Sequence, residues 1–552
     1  MRRSLSLLVA GAAALATGCI IEVEETNKGA GGAGGQGASP SGPCGKVPTT
    51  GECVGENKIR SCFVPSEPGE EPKIIEVECQ PGEKCGPVGD GMGCVLVGEC
   101  YEQSSRCKDE GTLQNCVNAK WVDTSCGNQK CLAQPGQGAM CTLGEASSGI
   151  KLRGHLDYEY LLPNKKLDDF DPTPHQEGAV DFFVTVYDDG ELLGMGLTSF
   201  ESPGDWDIEL KHKPTDKTFY YFWPMLFDDN GVPRMAIAKA KSDDPLEQYS
   251  DEYWSWGFGP VCDKPGECDV EDTGEQLIPV KDNAGAANIY QWLDYGIFKL
   301  AELIPSVAPL TVAVFWGPPT EFTCGNCFVP PIGGGANVLY DKEKDAKDHY
   351  ETTLNISGSE ESPTHWAKSV ITHELGHWVM ASYTKSPGEG GPHYVDAPSI
   401  PGLAYSEGWA TYCGQSLISK GPDDPDPIYF TKKHGTTFWI DLSKYSYSGG
   451  PLGKPDPNGP IDQDVNENVI AGMMFSFWAS TKAATPQGLG WGALYETLRS
   501  QRLLGNLNRG YHTVDFIDYL DAMKCEKKAS AEQIKAVTEA ADYPYDNQEI
   551  CP

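Results

Sequence analysis

The tightest constraint on this chain is the run from Ser369 to Met380, which sets His373-Glu374-Leu375-Gly376-His377 among apolar residues. Helix geometry places residues four apart on nearly the same face. His373 and His377 can therefore present two imidazoles to one zinc ion. Glu374 stands about 100° further round the helix, so its carboxylate can reach a metal-bound water without becoming a ligand. Zinc needs neutral nitrogen donors and an open position, and a nearby carboxylate can take the proton of the water as the nucleophile forms. The competing reading is two capping or solvated histidines on an ordinary core helix.

The rest of the chain supplies context. Its 552 residues are enough for several domains and a large core. The formal net charge of −36 argues against nucleic acid and anionic lipid as partners. Met1-Arg2-Arg3 is a positive start, Leu5 to Leu15 is apolar, and Leu15-Ala16-Thr17-Gly18-Cys19 follows. The apolar run is too short to span a membrane. Residues 1–18 therefore read as a signal peptide. Residues 19–43, with Gly29-Ala30-Gly31-Gly32-Ala33-Gly34-Gly35, read as a flexible tether. Export implies an oxidising surrounding in which cysteines pair.

Twelve of the 20 cysteines lie between Cys44 and Cys141. They divide into two copies of one unit, residues 44–98 and 99–146, with six cysteines each. Each copy ends in two cysteines followed by a Gly-rich stretch. Small modules of this kind lack a sufficient apolar core and are held by their bridges. Tight zinc-ribbon pairs do not occur within them.

Residues 147–245 alternate like strands. Phe182, Val184 and Val186 point one way, with Asp181, Thr185 and Tyr187 opposite, and Trp206, Ile208 and Leu210 alternate again. Asp188-Asp189-Gly190 and Asp229-Asn230-Gly231 are hairpin turn signals. A small β-sandwich is expected here. Cys262 with Cys268 and Cys324 with Cys327 are expected to form local disulfides. From Ala284 the apolar spacing turns helical, through Ile289, Leu293, Ile297 and Leu300, until Pro305. Leu310 to Phe315 reads as a buried strand, and Gly333 to Tyr340 as an edge strand that would hold substrate backbone. Ser362-Pro363 is expected to open the helix of His373, which should run from about Pro363 to Tyr383 and be ended by Ser386-Pro387-Gly388. A later helix is expected over Val465 to Ala484.

Two histidines do not complete a metal site. A metzincin would need a glycine and a third histidine further along the helix, where this chain has Met380 and Tyr383. Leu403-Ala404-Tyr405-Ser406-Glu407-Gly408-Trp409-Ala410-Thr411-Tyr412 instead offers a glutamate on a second helical stretch. With His-Glu-Leu-Gly-His before it, this Ser-Glu-Gly-Trp-Ala string resembles the gluzincin metallopeptidases of the thermolysin and fungalysin type, over about residues 284–484. The resemblance implies Zn2+ held by His373, His377 and Glu407, with Glu374 as general base. It also implies an Asp four residues after the ligand glutamate, where this chain has Thr411. The start of the chain resembles a bacterial lipoprotein signal that would leave Cys19 lipidated, and the Gly-rich tether resembles surface lipoproteins of myxobacteria. Ile20, rather than the Asp that usually retains such proteins, points to an outer-membrane lipoprotein facing the periplasm or the cell surface.

Several residues compete for roles. His393 is a cleft residue or a further ligand; Glu467 is a ligand or a buried structural partner. Cys413 is the candidate free thiol, leaving Cys525 to pair with Cys551. In related enzymes a downstream His or Tyr stabilises the oxyanion. The choices are His434, Tyr445, Tyr447, Tyr511 and His512, and His512 takes the assignment because it stands at a helix entry. The expected protein is thus multidomain: disulfide-rich repeat modules, a small all-β sandwich, then an α+β zincin-like metallopeptidase domain over residues 275–552. It would hydrolyse a protein or peptide substrate. The alternatives are a catalytically silent surface-binding lipoprotein on a peptidase fold, disfavoured by Glu374, and a structural spacer.

Overall fold

A computed structural model describes residues 149–227, 233–245, 252–303, 312–329, 353–384, 393–479, 489–500 and 514–546, with shorter stretches that include the strands between 52 and 142. Cys19 and the tether, the segment Gly333 to Tyr340, and Tyr511 with His512 lie outside the described residues. The protein is multidomain, with several small antiparallel sheets, disulfides and a helical part.

The cysteine-rich part repeats one strand order. Glu52–Cys53, Lys58–Phe63 and Lys73–Glu78 form a three-stranded antiparallel sheet, followed by the hairpin of Glu83–Val88 and Gly91–Leu96. Ser105–Asp109, Thr112–Val117 and Lys120–Ser125 form a second such sheet, followed by the hairpin of Lys130–Gln134 and Gly138–Thr142. Corresponding cysteines oppose each other across the hairpins, Cys85 with Cys94 and Cys131 with Cys141. Cys53 is bonded to Cys85, tying the first sheet to its hairpin.

Two further sheets share one core. The long strand Ile150–Tyr160 pairs along one edge with Asp205–Leu210 and His175–Gly178, and along the other, in parallel, with Asp272–Ile278. The second sheet runs in the order Glu191–Leu197, Phe183–Asp188, Thr218–Trp223, Trp256–Phe258. Leu152, Leu156, Val184, Val186, Trp206, Ile208 and Phe222 meet between them. The Asp189-Gly190 turn has φ of 48° and 88°, the doubly left-handed turn that suits strand twist. Thr185, on the face opposite Val184 and Val186, is also buried and takes the Trp223 indole N–H at 3.0 Å.

The main-chain pairing runs across the ranges drawn from sequence. Met225–Phe227 and Pro233–Lys239 belong to a five-stranded sheet continued by Val312–Trp316, Thr353–Ile356 and Cys327–Val329. The middle three strands are parallel, and Cys327–Val329 closes the sheet antiparallel. Every residue of Val312–Trp316 is buried, as both faces are covered. Helix α1, Ala284–Leu303, joins this sheet to the sandwich: Tyr290 packs edge-on against Phe182 at 4.8 Å, and its hydroxyl bonds the Asp181 carbonyl at 2.7 Å.

Helix α2, Lys368–Tyr383, starts later than the Ser362-Pro363 signal implies. Thr364–Trp366 forms a single 3-10 turn first. The Ser362 hydroxyl donates to Glu321 at 2.6 Å instead of capping α2. Helix α3 is Pro401–Ile418, with proline in its first turn where the missing N–H costs nothing. Helix α4 is Glu467–Trp478, two residues later than expected, because the Asn466 side chain caps it by accepting from the Asn468 N–H. Helices α5 (Gly490–Leu498), α6 (Phe516–Cys525) and α7 (Ala531–Ala540) follow. Cys262–Cys268, Cys324–Cys327 and Cys525–Cys551 are bonded, and Cys413 is a buried free thiol.

Candidate metal centre

Helices α2 and α3 approach each other closely at two glycines. A Cβ on Gly376 would stand 2.7 Å from the Cα and carbonyl oxygen of Ala410, and one on Gly414 2.9 Å from the His373 nitrogen. Glycine at these two points lets the backbones approach closely. The Trp409 indole then donates to the Gly376 carbonyl at 3.2 Å. The approach brings Glu407 of α3 over the two histidines of α2.

The resulting donor triangle is small. His377 Nε2 lies 3.1 Å from His373 Nε2 and 3.1 Å from Glu407 Oε2, and His373 Nε2 lies 3.2 Å from the same oxygen. All three residues are buried. Their other ring nitrogens face hydroxyls: His373 Nδ1 is 3.0 Å from Thr411 Oγ1, and His377 Nδ1 is 3.5 Å from Ser406 Oγ. With Nδ1–H donated outward, both Nε2 lone pairs point at one spot shared with a carboxylate. Such an arrangement of acceptors repels unless a cation lies between them. Tetrahedral bonds of about 2.0–2.1 Å give ligand–ligand edges of about 3.3 Å, close to the observed edges. Glu407 Oε1 is buried without a hydrogen-bond partner. The donor set therefore fits a divalent ion, and it is the one group of metal-capable side chains within 4.8 Å of one another found among the described residues.

Glu374 stands beside this triangle in a narrow cleft of about 80 Å³. Burial pushes its carboxyl up to about 8, and the Phe328 N–H of the sheet's edge strand bonds it. Its Oε2 is buried with no partner. Burial draws His373 down to about 4, while His377, which burial alone would lower, is drawn up by the Glu407 carboxylate beside it; a metal ligand must be the neutral imidazole. The cleft is roofed by the hairpin Ile428–Lys433 and Thr436–Asp441, which contributes Tyr429, Thr431, Phe438 and Ile440.

His393 and Glu467 also line the cleft, bonded to each other, His393 Nδ1 to Glu467 Oε2 at 2.7 Å. Their pairing joins residues 74 apart, and no local spacing signals it. The roof hairpin was legible in principle from its turn, His434-Gly435, where φ is 47° and 71°. His434 sits in that turn, 3.1 Å from Glu321. The Tyr447 hydroxyl bonds Asp396 at 3.2 Å, and that of Tyr445 lies 3.4 Å from Ser476. These three candidates for oxyanion stabilisation are absent from the cleft lining. His512 lies outside the described residues.

No protein-family model matches the sequence, and no characterised protein matches it either.

Proposed function

We propose that this protein is a zinc-dependent peptidase that hydrolyses peptide bonds outside the cytoplasm, with a zincin-like domain of the gluzincin type. The observation that carries this reading is the His373–His377–Glu407 triangle with edges of 3.1–3.2 Å and a buried carboxylate beside it. His373, His377 and Glu407 would hold the ion. Bound there, a divalent zinc supplies a positive charge that acidifies water and polarises a substrate carbonyl.

The chain's own groups do the rest. Glu374 takes the proton of the attacking water as the oxygen–carbon bond forms. It returns that proton to the amide nitrogen as the carbon–nitrogen bond breaks. Phe328, bonded through its N–H, holds the carboxylate in place. Cys327–Val329 ends the five-stranded sheet among the described residues, and an extended peptide can add to that edge by main-chain hydrogen bonds. On this reading Cys19 carries the lipid and the cysteine modules hold the enzyme off the outer membrane. No helix among the described residues is long and apolar enough to cross a membrane.

The test is hydrolysis of casein and of a quenched-peptide library with and without chelator, with Glu374→Gln as control. Cleavage that stops on chelation, resumes with zinc and is lost in the variant supports the reading. An inert wild type with metal bound favours a silent binding protein.

A further inference from the structure

A peptide added to the edge strand Cys327–Val329 runs beneath the roof hairpin, and that hairpin presents its charges unevenly. Successive strand residues face opposite ways. Along Ile428–Lys433, Tyr429, Thr431 and Lys433 line the cleft. Phe430 and Lys432 turn away from it: the Phe430 ring packs on Phe170 at 5.2 Å, and the Lys432 ammonium pairs with Asp169 at 2.8 Å. Tyr429 marks the metal end of the row, its ring 6.1 Å from that of His373. Lys433 lies four residues further on, about 13 Å along the strand. We propose that Lys433 is a specificity-determining residue. Its ammonium binds a carboxylate of the peptide, an acidic side chain or the C-terminal group, about two or three residues from the bond that is cut. The assignment rests on the peptidase reading and gives that reading a substrate class.

Three observations support it. First, the ammonium has a seat on the path of the peptide. Lys433 Nζ stands 3.0 Å, and Cε 3.4 Å, from the point a Cβ on Gly325 would occupy. Gly325 has φ of 82° and no side chain, so the lysine stem lies across its backbone. Phe328, whose N–H bonds Glu374, is three residues past Gly325. A peptide lying along this edge spans a similar number of residues between the cut bond and Lys433. Second, both sides of the seat are held. Cys324 is bonded to Cys327, the Gly325 carbonyl accepts the Ser357 hydroxyl at 2.7 Å, and Asn326 Oδ1 accepts the Thr364 hydroxyl at 2.6 Å. On the roof, the Gly435 N–H donates to the Glu361 carbonyl at 2.8 Å, and the His434 N–H to the Ser362 hydroxyl at 3.0 Å. The hairpin tip beside Lys433 is therefore pinned to the segment before α2. Third, the charge contrasts with its setting. The chain carries −36, and Glu374, Glu407 and Glu467 line the same cleft. Among the described residues, Lys433 is the one lysine or arginine in that lining. Away from the metal centre, a peptide carboxylate finds its cationic partner here, and the contact fixes the register of the peptide.

The experiment uses the full chain loaded with zinc and the library peptide it cleaves fastest, remade in pairs and followed by chromatography. One set carries Glu or Gln at each position flanking the cut, with an amidated C-terminus. A second set keeps those positions neutral and ends the peptide shortly after the cut, as the free acid or the amide. Within each pair kcat/KM is compared, for wild type and for Lys433→Met, Lys433→Arg, Lys433→Glu and Lys432→Met. Wild type should prefer the carboxylate about tenfold at one place near the cut. Lys433→Met should abolish that preference, Lys433→Arg should keep most of it, and Lys433→Glu should reverse it. Lys432→Met removes the same charge from the opposite face of the strand and should keep the wild-type ratio, which separates a local contact from net charge. The set in which the preference shows tells an acidic side chain from a chain end. If Lys433→Glu fails to fold, Lys433→Met and Lys433→Arg decide. A preference that survives in Lys433→Met overturns the proposal, as does an equal loss in Lys432→Met. A wild type that cleaves in a chelator-sensitive, Glu374-dependent way but treats acid and neutral peptides alike overturns this assignment alone. A wild type inert with zinc bound removes it together with the peptidase reading.

Discussion

His373 Nδ1 lies 3.0 Å from the hydroxyl of Thr411, one turn beyond Glu407 on the neighbouring helix. The hydroxyl accepts the ring N–H and so fixes Nε2 toward the donor triangle. A hydroxyl supports the ring less strongly than a carboxylate. Thr411→Val leaves a buried N–H without a partner, and zinc affinity should fall about tenfold. Thr411→Asp should raise it. Competition with a chromogenic chelator measures both, and equal affinities would show that this bond does not tune the centre.

Glu407 carries the third side of the triangle and has one buried oxygen with no partner. Wild type should bind about one zinc per chain, and Glu407→Gln far less. Chelation should also lower the thermal midpoint. Metal at a hundred times its Kd stabilises by about 2.7 kcal/mol. Metal analysis and melting curves with and without chelator check the two effects together.

Gly376 separates the two histidines on α2 and faces Ala410. In an exposed helix, alanine in place of glycine gains about 1 kcal/mol. Here the added carbon would meet backbone atoms at 2.7 Å, which cannot swing away. Gly376→Ala should therefore destabilise by about 1–3 kcal/mol and weaken zinc binding, since α2 and α3 must part. Denaturant unfolding with a zinc titration tests this; a more stable variant would contradict the close approach.

His365 is buried against Trp316 and Trp366, with ring centroids 5.2 and 4.5 Å away. Burial lowers it from 6.5 to about 3. The folded protein keeps the ring neutral while the unfolded chain takes up a proton below pH 6.5. Its contribution is thus complete above pH 6.5 and is lost as pH falls toward 3. Between pH 6.5 and 4.5 the cost is of order 2 kcal/mol. His365→Gln should lose less stability than wild type over that interval, whatever its stability at pH 7. Denaturant midpoints at the two pH values, compared as differences, give the answer.

Local signals carried some parts of this fold well. The Asp189-Gly190 turn, the alternation of Trp206, Ile208 and Leu210, and the helical spacing of Ile289, Leu293 and Ile297 each express a preference of residues close in the chain. So do the short disulfides Cys262–Cys268 and Cys324–Cys327. The start of α2 departs from the Ser362-Pro363 signal because the Ser362 hydroxyl is engaged by Glu321, which is 41 residues away. The return of Asp272–Ile278 to the strand Ile150–Tyr160 was invisible for the same reason.

From the sequence by itself came the residue types and their spacing along each helix: His373 and His377 one turn apart, Glu374 beside them, Glu407 and Thr411 one turn apart on a second helix. Helix geometry is local, so spacing alone sets which side chains share a face. Only the tertiary structure decided that the two faces meet, through Gly376 against Ala410, and that His393 and Glu467 close on each other at the edge of the centre. Those contacts depend on how the chain folds back between distant residues, and that is settled by packing of the whole core rather than by any neighbouring residue.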